Sequence, residues 1–365
     1  LNNQATGEIS VQQDKVKVKL SGVSATMLFP LWGRAQVSKE YSSLFYDAKA
    51  VELVEKIDYD FSTSDMPFVT IALNMIRKGN LLPMFGLVAL MAKQFDDKIR
   101  AYVTQHPHAS VVNLGAGLDA TFYRVDNGLI HWYDLDLPAA IDVRRQFFPE
   151  PERVTYIAKS LLDPSWCKDV NIKNGAFIIA EAVFQFFDEA QMKQFFLMLA
   201  DNFPGGEIVF TTMSRSDGFR GWVDMFPPEK RDAMKAAWME AMKEWWEKVP
   251  KDQKEKTVTA LKTPTKPKGM EWSDLEEWWN QLSDEENADA MSDLMSSFSA
   301  IPGSGVGMWA PKHANEITKW DNRITVVDQF LLSKNIPQDL LSADMRKLME
   351  YFDKSGGWNI FHVRV

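Results

Sequence analysis

The residues best placed to do chemistry lie in Val111-Val112-Asn113-Leu114-Gly115-Ala116-Gly117-Leu118-Asp119-Ala120. There an apolar run meets a Gly-x-Gly turn and passes into a helical stretch, Ala120 to Val125. Glycines at such a turn let the backbone approach a ligand closely and take φ values that a Cβ disfavours. The helix start beyond them offers N–H groups with no acceptor of their own. A second run, Ile130-His131-Trp132-Tyr133-Asp134-Leu135-Asp136, ends in acids about twenty residues on, the spacing at which a carboxylate takes ribose hydroxyls. Turn and acid together describe a site for a nucleoside-containing cofactor. On this pattern alone, a nicotinamide or flavin dinucleotide and S-adenosylmethionine (SAM) both fit.

Other reactive groups are sparse. The histidines, His106, His108, His131, His313 and His362, are scattered and read as structural. No His, Cys or carboxylate cluster has metal-ligand spacing, and there is no Gly-x-Ser-x-Gly elbow. The lone cysteine, Cys167, reads as a small hydrophobe; it allows no internal disulfide and suits a reducing compartment. A net charge of −9 argues against nucleic acid as the main partner, since phosphate binding needs clustered cations. The longest uncharged apolar stretch, Gly79 to Ala92, is too short to span a bilayer and contains Pro83. The first residues carry no basic-then-apolar signal. The expectation is a cytoplasmic protein that acts on a small molecule and involves no membrane; its oligomeric state is open.

The turn and the acid need a sheet to hold them. Apolar runs bounded by turn signals lie at 109–114, 130–135, 153–158, 175–180 and 206–211, with helical stretches between them, for example 138–147 and 188–202. Buried parallel strands flanked by helices are the economical reading. Before them, 84–105 reads as a long helix, residues 25–51 as short helices broken at Pro30 and Gly33, and 1–20 as a flexible arm. After 213 the rhythm breaks. Helical stripes run through Met234, Ala237, Trp238, Ala241 and Trp245 and through Trp272, Leu275, Trp279 and Leu282. A solvated linker is expected from Pro250 to Met270, and Ile301 to Gly307 reads as a hinge. Nine of the 13 tryptophans fall between Trp222 and Trp320, as the core of a lid. Ile324 to Leu331 and Trp358 to Val365 then read as strands around a helix at 337–353. The expected architecture is α/β: a Rossmann-like, mostly parallel sheet with an antiparallel last strand. Its parts are an N-terminal helical segment (1–108), a core (109–215), a helical Trp-rich lid (216–312) and C-terminal return strands (313–365).

With those stretches in hand, the chain resembles the leucine carboxyl methyltransferase family, which includes bacterial O-methyltransferases of polyketide pathways. The resemblance rests on Val112-Asn113-Leu114-Gly115-Ala116-Gly117-Leu118-Asp119, on Phe122-Tyr123-Arg124 and on Trp132-Tyr133-Asp134-Leu135-Asp136-Leu137-Pro138. It continues through Ile157-Ala158-Lys159-Ser160-Leu161-Leu162-Asp163 and Ile179-Ala180-Glu181-Ala182-Val183-Phe184. It covers about 25–215 and implies a class I SAM-dependent methyltransferase fold, tipping the cofactor from NAD to SAM. Carried over, Gly115, Ala116 and Gly117 would pass under the methionine part of SAM, and Asp136, beside Leu137, would accept both ribose hydroxyls. Ser160 and Leu161 would flank the adenine, Glu181 would face the amino group, and Arg34 would meet the carboxylate.

Two positions depart from the family. An arginine usually stands on the helix before the first strand, where Met91 lies here with Lys93 as a substitute point charge. A Gly and a closing Tyr usually follow the strand-four acid, where Ala182 and Phe186 stand. Phe186, Met213 and Arg215 are candidate substrate-pocket residues; no catalytic residue is assigned, since an ionised carboxylate acceptor needs no base and a hydroxyl acceptor, which would want one, has no convincing candidate. The resemblance implies an O-methyltransferase for a small or medium carboxylate or hydroxyl compound of secondary metabolism. The departures leave two alternatives. One is a SAM-using enzyme that closes an azetidine ring and releases methylthioadenosine, as some methyltransferase-like azetidine-carboxylate synthases do. The other is a non-catalytic SAM or nucleoside-binding protein.

Overall fold

A computed structural model describes residues 15–18, 26–59, 82–213, 246–283, 309–334, 336–355 and 358–365, with isolated positions between 236 and 294. The order opens with β1 (Val16–Lys17), α1 (Leu28–Glu40), α2 (Ala48–Lys56), β2 (Ile57–Asp58) and α3 (Leu82–Gln105). The core follows as β3 (Ser110–Leu114), α4 (Thr121–Val125), β4 (His131–Asp136), α5 (Pro138–Phe147), β5 (Val154–Ala158), β6 (Ala176–Ala180), α6 (Glu189–Asn202) and β7 (Glu207–Met213). Then come α7 (Lys251–Ala260), α8 (Trp272–Gln281), α9 (Asn315–Thr318), β8 (Thr325–Leu331), α10 (Ala343–Ser355) and β9 (Trp358–Arg364).

Seven strands form one sheet in the order β5-β4-β3-β6-β7-β9-β8. β3 to β7 run parallel, and β9 is antiparallel to both β7 and β8. The strands alternate between two buried faces, as a period of two requires when helices cover both sides. Val111, Trp132, Phe177, Ile179 and Val209 pack toward the N-terminal helices and α10. Val112, Leu114, Tyr133, Ile178 and Phe210 pack toward α6 and Trp309. Every residue of β3 and β6, the two central strands, is buried. The strand order reverses at β3 and β6, so the crevice beyond their carboxyl ends is where a ligand binds in sheets of this kind.

Three expectations about elements change. The N-terminal helix does not break at Pro30 or Gly33 but runs unbroken over Leu28–Glu40. Pro30 sits in its first turn, where a missing N–H costs nothing, and buried Gly33 is held by packing. The solvated linker is half helix. Lys251–Ala260 forms α7 with Pro250 at its N-cap and Thr257 and Val258 buried, so packing of one edge holds an otherwise polar helix. Part of the arm is a strand, since Val16 and Lys17 pair with Ile57 and Asp58. Residues 1–14, the stripe residues Met234, Ala237, Trp238, Ala241 and Trp245 and the hinge at 301–307 lie outside the described residues.

Candidate functional site

The Gly-x-Gly turn leaves β3 with two residues in the left-handed region, Gly115 at φ 65° and Gly117 at φ 45°. A Cβ at Gly115 would come within 2.6 Å of Val183, and one at Gly117 within 3.0 Å of Met27. Glycine is therefore required at both by conformation and by space. Gly115 is exposed, while Ala116 and Gly117 are buried beneath it. At the end of β4, Asp136 is tied to this turn. Its Oδ2 accepts the Gly117 N–H at 2.8 Å and its Oδ1 the Leu137 N–H at 2.7 Å. Each oxygen keeps a lone pair for a further donor, as a vicinal diol needs. Burial raises the Asp136 carboxyl, against the lowering effect of those two amides.

Leu137 is 41% exposed, a large apolar side chain at the rim beside Asp136. Past β5, Ser160 is half-buried and its Oγ accepts the Leu162 N–H at 3.3 Å. Leu161 is buried, and its carbonyl takes the Trp166 indole N–H at 3.0 Å. These residues stand at the carboxyl ends of neighbouring strands.

Glu181 follows β6, half-buried and without a hydrogen-bond or ion-pair partner among the described residues. Burial, reinforced by Asp119, pushes its carboxyl up to about 8 despite Arg34 and Arg124 nearby. Ala182 is the single non-glycine residue with positive φ among those described, at 54°, and its N–H donates to Thr211 Oγ1 at 2.8 Å. The family's glycine at this point is thus explained by backbone shape, and this chain adopts the shape without it. Phe186 closes the short 3-10 turn Phe184–Phe186 and is half-buried. The backbone of Met213 ends β7, its side chain is not described, and Arg215 lies outside the described residues.

Met91 does not face the site: it is buried in the core with Leu90 and Phe95. Lys93 spends its charge on Asp97 at 2.9 Å on the surface of α3, so neither residue supplies the expected cation. The cations that do gather here come from elsewhere. Arg34, only 3% exposed, gives Nε to Asp47 at 3.1 Å and Nη2 to the Leu118 carbonyl at 3.2 Å. Its Nη1 has no partner among the described residues. Arg124, on α4, forks onto both oxygens of Asp96 at 2.9 and 3.0 Å and reaches Asp47 at 2.9 Å. Burial works against the Asp119 charge, but Arg124 and Arg34 hold its carboxyl below the ordinary value. At Asp96 burial outweighs the lowering by Arg124 and Arg100, and the carboxyl rises.

Sequence reasoning gave no role to Asp47, Asp96, Arg124 or Arg144. Arg124 stood in a quoted motif, but its partners lie on α3 and before α2, at separations no spacing rule joins. Two of the histidines make side-chain hydrogen bonds along the sheet. His131 bonds Thr155 at 2.9 Å, and His362 bonds Glu207 at 2.8 Å near the opposite end of the sheet. Cys167 is buried, which pushes its thiol up to about 11. No metal-binding cluster and no helix long and apolar enough to cross a membrane occurs among the described residues. Of the tryptophans assigned to the lid, Trp246, Trp278 and Trp279 are buried, whereas Trp309 packs on Phe210, in the core of the sheet itself.

Residues 28–156 match the family model described as leucine carboxyl methyltransferase. The chain is similar to the tetracenomycin polyketide synthesis O-methyltransferase TcmP of Streptomyces glaucescens, 28% identical over 199 residues, or 53% of this chain and 67% of that one. It is also similar to the S-adenosyl-L-methionine-dependent methyltransferase dpfgK of Gibberella zeae, 28% identical over 175 residues, which are 44% of this chain and about half (53%) of that relative. Among solved structures, a DUF574 family protein from Streptomyces avermitilis aligns at TM-score 0.47 and 8% identity, over 91% of this chain and 96% of that one.

Proposed function

We propose that the chain, whose residues 28–156 match the leucine carboxyl methyltransferase model, is a SAM-dependent methyltransferase that methylates an oxygen of a small or medium carboxylate or hydroxyl compound, in secondary metabolism. SAM supplies an electrophilic methyl group on a sulfonium. The observation that carries the reading is the junction of Gly117 with Asp136, with Glu181, which has no partner among the described residues, at the end of the neighbouring β6. Two carboxylates and a glycine corner meet at the carboxyl ends of β3, β4 and β6.

The chain's own residues would bind and orient. Asp136 keeps one acceptor position on each oxygen for the ribose, with Leu137, Ser160 and Leu161 around the adenine. Gly115, Ala116 and Gly117 leave room for the methionine arm. Glu181 offers a carboxylate to the amino group, and Arg34 has Nη1 to spare for the carboxylate. Phe186, Met213 and Arg215 are the proposed acceptor-pocket residues. Transfer then depends on holding acceptor and methyl in line in a site closed to water. The similarity to a polyketide O-methyltransferase supports oxygen as the acceptor atom.

Incubation of the purified protein with SAM and a panel of small acids and phenols, followed by mass spectrometry, tests the reading. The expected result is S-adenosylhomocysteine formed only when an acceptor is present. Methylthioadenosine released from SAM alone would point to ring closure instead. Tight binding of SAM with no turnover against any acceptor would point to a binding protein.

A further inference from the structure

Beneath the glycine corner lies a charged group that the reading above does not use. Arg144, on α5, is 2% exposed, and its guanidinium sits 2.7 Å from Asp134, which is wholly buried on β4. Its Nη1 donates to two carbonyls of the turn, Gly117 at 3.0 Å and Asp119 at 2.7 Å. The ring of Phe148 lies 4.5 Å from the guanidinium carbon. Asp134 is held in turn by the Trp132 indole at 2.7 Å and by Asn113 at 3.2 Å, and Asn113 also reaches Asp119 at 3.1 Å. Between the two carbonyls that Arg144 holds, the Leu118 carbonyl is taken by Arg34. Three consecutive carbonyls of the corner are therefore fixed by two buried guanidiniums.

A trans peptide aims its N–H opposite to its C=O. With the Gly117 carbonyl turned to Arg144, the Leu118 N–H is turned away from it, and that N–H has no acceptor among the described residues. The Gly117 N–H, one peptide earlier, is the donor that fixes Asp136. A buried ion pair adds little net stability compared with apolar packing, so a cation kept here at desolvation cost is better explained by the geometry it imposes.

We propose that Arg144 is a positioning residue of the cofactor site. It holds the Gly117 and Asp119 carbonyls and, through Gly117, sets where Asp136 presents its carboxylate to a ribose. The proposal rests on the SAM reading above and assigns Arg144 no contact with the cofactor.

Calorimetric titration of the full chain with SAM and with adenosine tests it, since both carry the ribose that Asp136 would grip. Two variants are compared with the parent. Arg144→Lys keeps a cation for Asp134 but loses the planar fork. Arg144→Met combined with Asp134→Asn removes both buried charges together, so neither is left as an unpaired buried ion. The expected result is weakening of both ligands by about tenfold or more in each variant, with the two ligands losing equal factors. Parental affinity in either folded variant would overturn the proposal and leave Arg144 purely structural. Loss for SAM but not for adenosine would also overturn it, because the effect would then bypass Asp136. If the parent chain itself takes up no SAM, the underlying reading fails first, and that titration alone separates the two failures.

Discussion

Glu181 is a carboxyl held neutral by its surroundings: burial and the neighbouring Asp119 raise it to about 8, from an ordinary 4.5. Between those values the folded chain holds a proton that the unfolded chain has released, so this group's contribution to stability falls as pH rises toward 8. A ligand ammonium needs the carboxylate, so binding expels the proton whenever the pH lies below 8. SAM affinity should therefore climb between roughly pH 6 and 8, by at most about tenfold per unit, and fall again as the ligand's own ammonium, which titrates at about 8, is lost. Glu181→Gln should bind more weakly at the upper end and lose the slope. A slope that survives in this variant, measured by calorimetry across the range, would move the titrating group elsewhere. The next residue makes a separate prediction. Ala182 pays the left-handed strain that glycine escapes, so Ala182→Gly should leave stability unchanged or raise it by up to about 1 kcal/mol in thermal melts.

At the scale of elements, the N-terminal helices are tied to the core through one carboxylate. Asp47 caps α2 through the Ala50 N–H at 2.9 Å while receiving Arg34 from α1 and Arg124 from α4. Arg124 carries the link on to Asp96 on α3. Arg124→Met strands Asp47 and Asp96 as buried, underpaired charges, and chemical denaturation should show a loss of about 3–5 kcal/mol. Arg124→Lys should recover part of it, since one ammonium cannot replace the fork onto Asp96. The corner between β3 and α4 is equally exacting. Gly115→Ala meets both a positive φ and the Val183 side chain, so it should lower stability and SAM affinity together in paired melting and titration measurements. The turn, the strand-end acids and the helix that follows them were legible because each is local: glycine spacing, apolar runs and a proline at the start of α5. The Asp47–Arg124–Asp96 chain was not, because its members are separated by tens of residues and each reads singly as an ordinary surface charge. Pro30 and Gly33 misled for a related reason, since packing on α3 decides whether a helix tolerates them.

At the scale of the molecule, β9 slips between β7 and β8 and closes the sheet far from the glycine corner. Glu207 at the start of β7 binds His362 at 2.8 Å and Arg364 at 2.7 Å, both on β9. The His362 hydrogen bond, then Arg364, holds the Glu207 carboxyl down at about 2. This stabilisation is complete above its ordinary value of 4.5 and is lost as pH falls toward 2. Glu207→Gln should therefore narrow the difference in melting temperature between neutral and acid buffer; an unchanged acid sensitivity would place it in other carboxylates.

The sequence by itself determined the alternation of buried strands and helices, the order in which the chain lays them down, and the corner and acid that mark a nucleoside site. Those features are written in neighbouring residues, where period, turn chemistry and spacing act. Only the tertiary structure decided which charges meet. It buried Met91, sent Lys93 to the surface, and brought Arg34, Arg124 and Arg144 from three different helices to carbonyls and carboxylates distant in the chain. A buried charge is tolerated only where folding delivers its partner, and that pairing is a property of the packed whole.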